Sequence, residues 1–205
     1  VKAAPRPPAP MVTPALAETT TTIVIGSGFS GLAVAAELNR QGIDAIVVDS
    51  FRPSGPGSPA PNTGGISLDA LSERTNILRL LEHYALRHEL DIRPGTSPLQ
   101  LNRLGTDAPT EHQWTVLTAD GTLSAHSVVF TRGALNQLRR VLHSVGLSTS
   151  HELASVMHSL GLYLVGVGDL VVPTTHEILH QAKRAGASIS ARMAARNSIA
   201  VLIPA

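Results

Sequence analysis

Two short stretches of this sequence hold residues whose types and spacing could do chemistry. The first is Gly26-Ser-Gly-Phe-Ser-Gly31, the G-x-G-x-x-G spacing. Gly26 allows a tight turn, Gly28 offers no side chain to block a pyrophosphate, and Gly31 lets a helix pack closely on a strand. A helix opening there presents free N–H groups and a partial positive charge to phosphates. The second stretch is His176-Glu-Ile-Leu-His180, an H-E-x-x-H pattern. On a helix its two imidazoles lie one turn apart and could bind zinc, with Glu177 as general base. A catalytic zinc needs a third protein ligand. Downstream of His180 the sequence has no His, Asp, Glu or Cys, and Lys183 stands where the longer zinc-protease pattern has glycine. No metal site is expected. His176 and Glu177 read instead as first-turn residues that finish a helix end.

The elements around the glycines decide between a binding loop and an ordinary turn. Ile23-Val-Ile25 reads as a buried parallel strand. Leu32 to Leu38 continues as a helix of small and apolar residues, ended by Gln41-Gly42. Asp44-Ala-Ile-Val-Val-Asp49 is a second strand ending in an acid. Asp49 lies about 20 residues past the glycines, where a carboxylate reaches ribose hydroxyls. Strand, glycine loop, helix, strand and acid together predict a dinucleotide site.

The rest of the chain supplies a scaffold. Residues 1–20 are rich in Pro and Ala (Ala4-Pro-Arg-Pro-Pro-Ala-Pro10) and read as a disordered arm or linker. Ala15-Leu-Ala17 resembles a signal-peptidase site, but prolines interrupt the apolar run it would need. A long Gly/Pro loop follows Asp49, from Ser50 to Gly65, and Arg52 on it could pair with a phosphate or stack on an adenine. Leu68 to Leu90 is helical by periodicity, with Leu71, Ile77, Leu78, Leu81, Tyr84 and Ala85 on one face. Asp91-Ile-Arg93 is a short third parallel strand. Pro98–Leu104, His112–Thr118 and Thr122–Ala125 form a meander, with Asp120-Gly121 as a hairpin turn and Trp114 facing the core. A separate strand, Ser127–Gly133, then leads to a helix from Leu135 to Val145. Gly161–Asp169 is a buried strand ending in Gly168-Asp169. Thr174 or Thr175 caps a last helix to about Asn197.

Composition narrows the function classes. Hydrophobic residues make up 43% and charged residues 15%, which favours a globular chain over a disordered one. Sixteen Lys+Arg against fifteen Asp+Glu give no electrostatic footprint for nucleic acid. Aromatics at 3% leave no stacking platform for single strands. There is no cysteine, so disulfides, thiolate zinc sites and dithiol relays are excluded. No run approaches the ~20 apolar residues of a membrane span. A cytoplasmic location with no nucleic-acid or membrane partner is expected.

The sequence resembles FAD-dependent oxidoreductases of the two-dinucleotide-binding-domain superfamily, which includes thioredoxin- and glutathione-reductase-like enzymes and flavin-containing monooxygenases. Ile23 to Asp49 is similar to the FAD fingerprint. Leu68 to Arg103 is similar to the helix and strand leading into the family's meander, and Trp114 to Gly133 to its hairpin and Ala-Thr-Gly ending. Gly161-Leu-Tyr-Leu-Val-Gly-Val-Gly-Asp169, with the helix after it, is similar to the closing FAD motif. The resemblance implies an α/β, three-layer Rossmann-like FAD-binding fold with a parallel sheet and an antiparallel meander. It places residues 21–205 in one FAD-binding domain, with the meander at about 97–126. It implies FAD held by Gly26, Ser27, Gly28, Phe29, Ser30, Gly31, Asp49, Ser50, Arg52, Gly133, Gly168, Asp169 and His176. Asp169 would contact the ribityl–pyrophosphate part, and the last helix would point its positive end at the flavin's pyrimidine edge.

Departures qualify the implied activity. Ala134 to Leu160 is too short for the NADPH domain such enzymes insert, and no second G-x-G-x-x-G appears. The Ala-Thr-Gly motif reads Thr131-Arg132-Gly133. The implied function is an FAD-dependent oxidoreductase, monooxygenase-like or reductase-like, that acts on a small molecule with electrons from an external donor. The alternatives are a non-catalytic FAD- or NAD-binding module descended from such enzymes, and an NAD-only Rossmann protein.

Overall fold

Alternation of side chains along β-branched strands sets the layers here. In a computed structural model, residues 17–51, 68–104, 113–144, 153–168 and 173–202 are described. Their elements run β1 (Ala17–Ile25), α1 (Phe29–Arg40), β2 (Ala45–Val48), α2 (Leu68–Arg87), β3 (Asp91–Arg93), β4 (Pro98–Arg103), β5 (Trp114–Thr118), β6 (Thr122–Thr131), α3 (Leu135–Ser144), α4 (Leu153–Ser159), β7 (Leu162–Val165) and α5 (Thr175–Leu202). A 3-10 turn, Arg132–Ala134, joins β6 to α3. The strands form one sheet in the order β3-β2-β1-β6-β5-β4, with β7 also paired to β6. The pairs β1–β2, β1–β6, β2–β3 and β6–β7 are parallel, while β4–β5 and β5–β6 are antiparallel.

Ile23 and Ile25 face one side of the sheet with Phe130, Trp114 and Leu162, against Leu138, Val141 and Leu142 of α3 and Met157 of α4. Val24 faces the other side with Val47, Val129 and Val165, against Val34 and Leu38 of α1 and Ile178, Ala182 and Ile189 of α5. Strands buried on both faces have to be apolar throughout, and this is why Ile23, Val24 and Ile25 are all fully buried. Each such side chain is worth roughly 1.5–3 kcal/mol of burial. Trp114 is in the core, its indole N–H donating to the Leu160 carbonyl at 2.8 Å. The apolar stripe of α2 packs inward as its periodicity predicts, and Tyr84 ties α2 to α1 through a 2.9 Å bond to Asn39 Oδ1. The Arg192 guanidinium on α5 donates to the carbonyls of His158 and Ser159, satisfying the end of α4.

Several boundaries differ from the sequence reading, four of them by more than a turn's end. Ala17–Thr20, expected in the amino-terminal arm, are strand, paired with Thr122–Ala125 of β6. This segment is polar and largely exposed, so it carries no hydrophobic alternation, yet Thr is a good strand former. Thr122–Ala125 and Ser127–Gly133, expected as two strands, form the single strand β6 as far as Thr131, with Arg132 and Gly133 in the 3-10 turn. Its first half has one buried face and its second half two, so the pattern changes period where no break occurs. Gly161–Asp169, expected as one long strand, contains only Leu162–Val165 as β7. The last helix passes Asn197 and ends at Leu202. The helix α4 has no counterpart in the sequence reading.

Candidate functional site

The carboxyl ends of β1, β2, β6 and β7 form one edge of the sheet, and Gly26–Gly31, Asp49, Ser50, Gly133 and Gly168 follow these ends. Gly26 ends β1 with φ +119°, in the left-handed half of backbone space that glycine alone adopts freely. A Cβ at Gly26 would collide with the Thr131 hydroxyl, which itself donates to the Ile25 carbonyl at 2.9 Å. The Gly26 N–H donates to Val48 O at 2.8 Å and so joins the ends of β1 and β2. A Cβ at Gly31 would land on the Gly26 carbonyl, so only glycine lets α1 start this close to the strand.

Gly28 is the N-cap of α1. It has no side-chain cap, and the first turn holds no acidic residue. Nothing lies within 4 Å of where a Gly28 Cβ would be. The first N–H groups of a helix have no intrahelical partner. Here no side chain caps them, and the dipole adds partial positive charge. Phe29 differs from the others. Its side chain is 7% exposed, in the core beneath Arg74 of α2, whose guanidinium carbon sits 5.1 Å from the ring centroid. Only its backbone is available to a ligand.

Asp49 follows β2 directly. Its Oδ1 accepts from the Ser27 hydroxyl at 2.5 Å and its Oδ2 from the Gly95 N–H at 2.7 Å. Its own N–H donates to the Thr96 carbonyl at 2.9 Å. Ser50 presents its hydroxyl between Gly26 and Gly133, close enough that a Cβ on either would crowd it. Ser30 faces Gly166 in the same way, and this contact brings the first glycine loop against the segment after β7. Gly168 is exposed on that segment. Arg52 and Asp169 lie outside the described residues.

The segment after β7 is held by a residue the sequence reading missed. Gln181 of α5 accepts from the Gly166 N–H at 2.7 Å and donates to the Val167 carbonyl at 3.0 Å. One amide thus replaces two backbone partners where the strand has ended.

The start of α5 is built differently from that of α1. Thr174 and Glu177 form a capping box. The Glu177 carboxylate accepts from the Thr174 N–H at 2.7 Å and its hydroxyl at 3.0 Å, and the Glu177 N–H donates back at 3.2 Å. The Thr174 N–H and then its hydroxyl hold the Glu177 carboxyl below the usual range, with His176 adding a smaller pull. Glu177 is therefore committed to the cap and not poised as a base. His176 and His180 are exposed, and no group of three or more His, Cys, Asp or Glu that could hold a metal occurs among the described residues.

Among the described residues, cavities of similar size adjoin the sheet at two places. One, about 310 Å³, lies between Phe51, Leu99–Asn102 of β4, and Arg140 and Val141 of α3. The other, about 320 Å³, is lined by the first half of β1, Asn39, Asp44 and Glu89–Asp91, at the opposite end of the strands from the glycines. Only the first adjoins the chain leaving Asp49.

A protein-family model described as FAD binding domain matches residues 19–121, half of the chain. The chain belongs to the FAD binding domain family. Its cofactor is FAD. The open start of α1, the clear space over Gly28 and the acceptor Asp49 fit a dinucleotide's phosphates and ribose. No curated protein matches the sequence. Among solved structures, THI4 of Thermovibrio ammonificans aligns over 85% of this chain and 90% of its own, at 14% identity and TM-score 0.54, and shares the fold. Bacillithiol disulfide reductase of Staphylococcus aureus is 18% identical over 56% of this chain, TM-score 0.39. Cyclohexanone monooxygenase is 23% identical over 57%, TM-score 0.38. The chain spans 38% of the length of that reductase and 26% of that monooxygenase. Among the described residues, no helix of this FAD binding domain is long and apolar enough to cross a membrane.

Proposed function

We propose that this FAD binding domain serves a flavin-dependent oxidoreductase that acts on a small molecule, with electrons from an external donor. The uncapped start of α1 beside Asp49 carries this reading. When bound, FAD supplies the redox chemistry, accepting and releasing electrons at its ring system. The chain's own residues bind and orient. The N–H groups at Phe29, Ser30 and Gly31 would take the pyrophosphate, Gly28 would let it approach, and Asp49 would accept from the adenosine ribose. Gly166, held by Gln181, and Gly168 would line the far side of the crevice. The cavity beside Phe51, on the chain leaving Asp49, would offer room for a small molecule.

A visible spectrum of the purified protein tests this reading. A flavin spectrum, with bleaching by a chemical or protein donor and recovery in air or with an acceptor, is the expected result. A protein that stays colourless after FAD addition overturns it. One observation favours the second reading, a non-catalytic FAD-binding module. Glu177 puts a negative charge at the start of α5, where the family resemblance implied a free positive end for the flavin. Bound flavin that no donor reduces would decide for the module.

A further inference from the structure

We propose that Ser27 is a positioning residue, whose hydroxyl sets the orientation of the Asp49 carboxylate so that it receives a vicinal diol. The inference rests on the FAD reading above and adds a residue that acts through Asp49.

The argument starts from the capacity of the carboxylate. An ionised Asp only accepts, and its two oxygens offer about four lone-pair sites. Ser27 takes one on Oδ1 and the Gly95 N–H takes one on Oδ2. Among the described residues these are its side-chain partners, which leaves one site on each oxygen, so two adjacent hydroxyls can each find an acceptor. The backbone of Asp49 is also fixed, through its N–H to Thr96 O. With the Gly95 bond alone, the carboxylate could still turn about its last torsion. Ser27 removes that freedom, through a bond that is charge-assisted and therefore among the stronger kinds. Both side chains are half-buried, so water competes only in part. The Ser27 hydroxyl hydrogen is spent on Asp49, so it is not free to donate to a phosphate. Position 27 thus works on the ribose end of the ligand, although it sits in the loop that cradles phosphates.

The test measures FAD dissociation constants by flavin fluorescence for the wild-type chain, Ser27→Ala, Ser27→Thr, Asp49→Ala and the Ser27→Ala/Asp49→Ala double variant. Loss of one oriented charge-assisted bond predicts about tenfold weaker FAD binding in Ser27→Ala. Ser27→Thr should restore most of it. In the Asp49→Ala background, Ser27→Ala should change affinity by less than about twofold, because coupled residues are not additive. A second measurement does not depend on Asp49→Ala folding. AMP and 2′,3′-dideoxy-AMP compete against FAD, and the wild-type preference for the diol should largely vanish in Ser27→Ala. Wild-type affinity in Ser27→Ala overturns the inference. So does a tenfold loss that persists without Asp49, or a diol preference that survives in Ser27→Ala. A wild-type chain that binds AMP but no FAD overturns the cofactor reading, and the diol preference that tests Ser27 is then read from direct titration with AMP and 2′,3′-dideoxy-AMP. A chain that binds neither overturns both.

Discussion

Two helices start at the same edge of one sheet and treat their free N–H groups in opposite ways. The start of α1 has a glycine N-cap, no side-chain cap and no acid in its first turn. The start of α5 carries a reciprocal Thr174–Glu177 box and a carboxylate in its first turn. The two helices run side by side. Ser30 of α1 meets the segment that leads into α5, and Gly186 of α5 meets Glu37 and Gln41 at the far end of α1. Being near a crevice therefore does not make a helix end an anion site. An uncapped end keeps its donors for a ligand, whereas a capped end spends them on its own chain. On the proposed reading the phosphates fall to α1.

The largest effect should come from closing the start of α1. In Gly31→Ala the new methyl would strike the Gly26 carbonyl, so helix and strand must separate. Overpacking of this kind costs about 1–3 kcal/mol, and the turn that shapes the site is lost with it. We expect at least about hundredfold weaker FAD binding together with a lower melting temperature. Unchanged binding would show that the turn geometry is not what the ligand needs.

Gly28→Val separates binding from stability. The new side chain meets no protein atom within 4 Å, and a φ of −78° suits any residue. Stability should fall by no more than about 1 kcal/mol, the difference between glycine and an aliphatic N-cap. FAD affinity should fall at least about tenfold, because the side chain fills the space a pyrophosphate would take. If affinity holds, the open end of α1 is not the phosphate site and the contrast between the two helices loses its functional meaning.

Gln181→Leu tests the other wall of the crevice. It leaves the Gly166 N–H and Val167 carbonyl without the amide that serves both. Two half-buried groups left unpaired cost about 1–3 kcal/mol. Thermal unfolding should show that loss, and amide exchange at Gly166 should speed up. An unchanged exchange rate would mean that water replaces the glutamine without consequence.

Much of this was legible in the sequence, because local signals and tertiary demands agreed. The glycine spacing, the β-branched runs and the acid at Asp49 each have a mechanical meaning readable in place. The inward face of α2 followed from its 3.6-residue period. What the sequence hid depends on partners far along the chain. Ser27 and Asp49 are 22 positions apart and Gly166 and Gln181 are 15 apart, and no local rule pairs them. Phe29 looked like a ligand-facing residue by position, but the arrival of α2 turns its ring into core. The Thr-rich start of β1 was invisible for the opposite reason. It gains strand structure from pairing with β6 and not from a buried face. The capping box at α5 was legible as Thr-x-x-Glu but competed with the H-E-x-x-H pattern that shares Glu177.

The smallest effect expected is also the one that defines the α5 side of the contrast. Removing the cap hydroxyl in Thr174→Ala should cost about 1 kcal/mol, as N-cap losses usually do. Because Thr174 holds the Glu177 carboxyl below its ordinary value, the carboxylate's share of this stability is present above about pH 4.5 and fades as pH falls through the lowered value. The gap in melting temperature between wild type and Thr174→Ala should therefore narrow on acidification. A gap that stays constant down to pH 3 would show that the hydroxyl caps the helix without help from the ionised carboxylate. Glu177→Gln then asks whether α5 has any role toward the cofactor. If its dipole does not face the flavin, FAD affinity and the flavin's reduction potential should stay at wild-type values. A rise in both would mean that the start of α5 does reach the cofactor, with Glu177 opposing the negative charge that reduction adds.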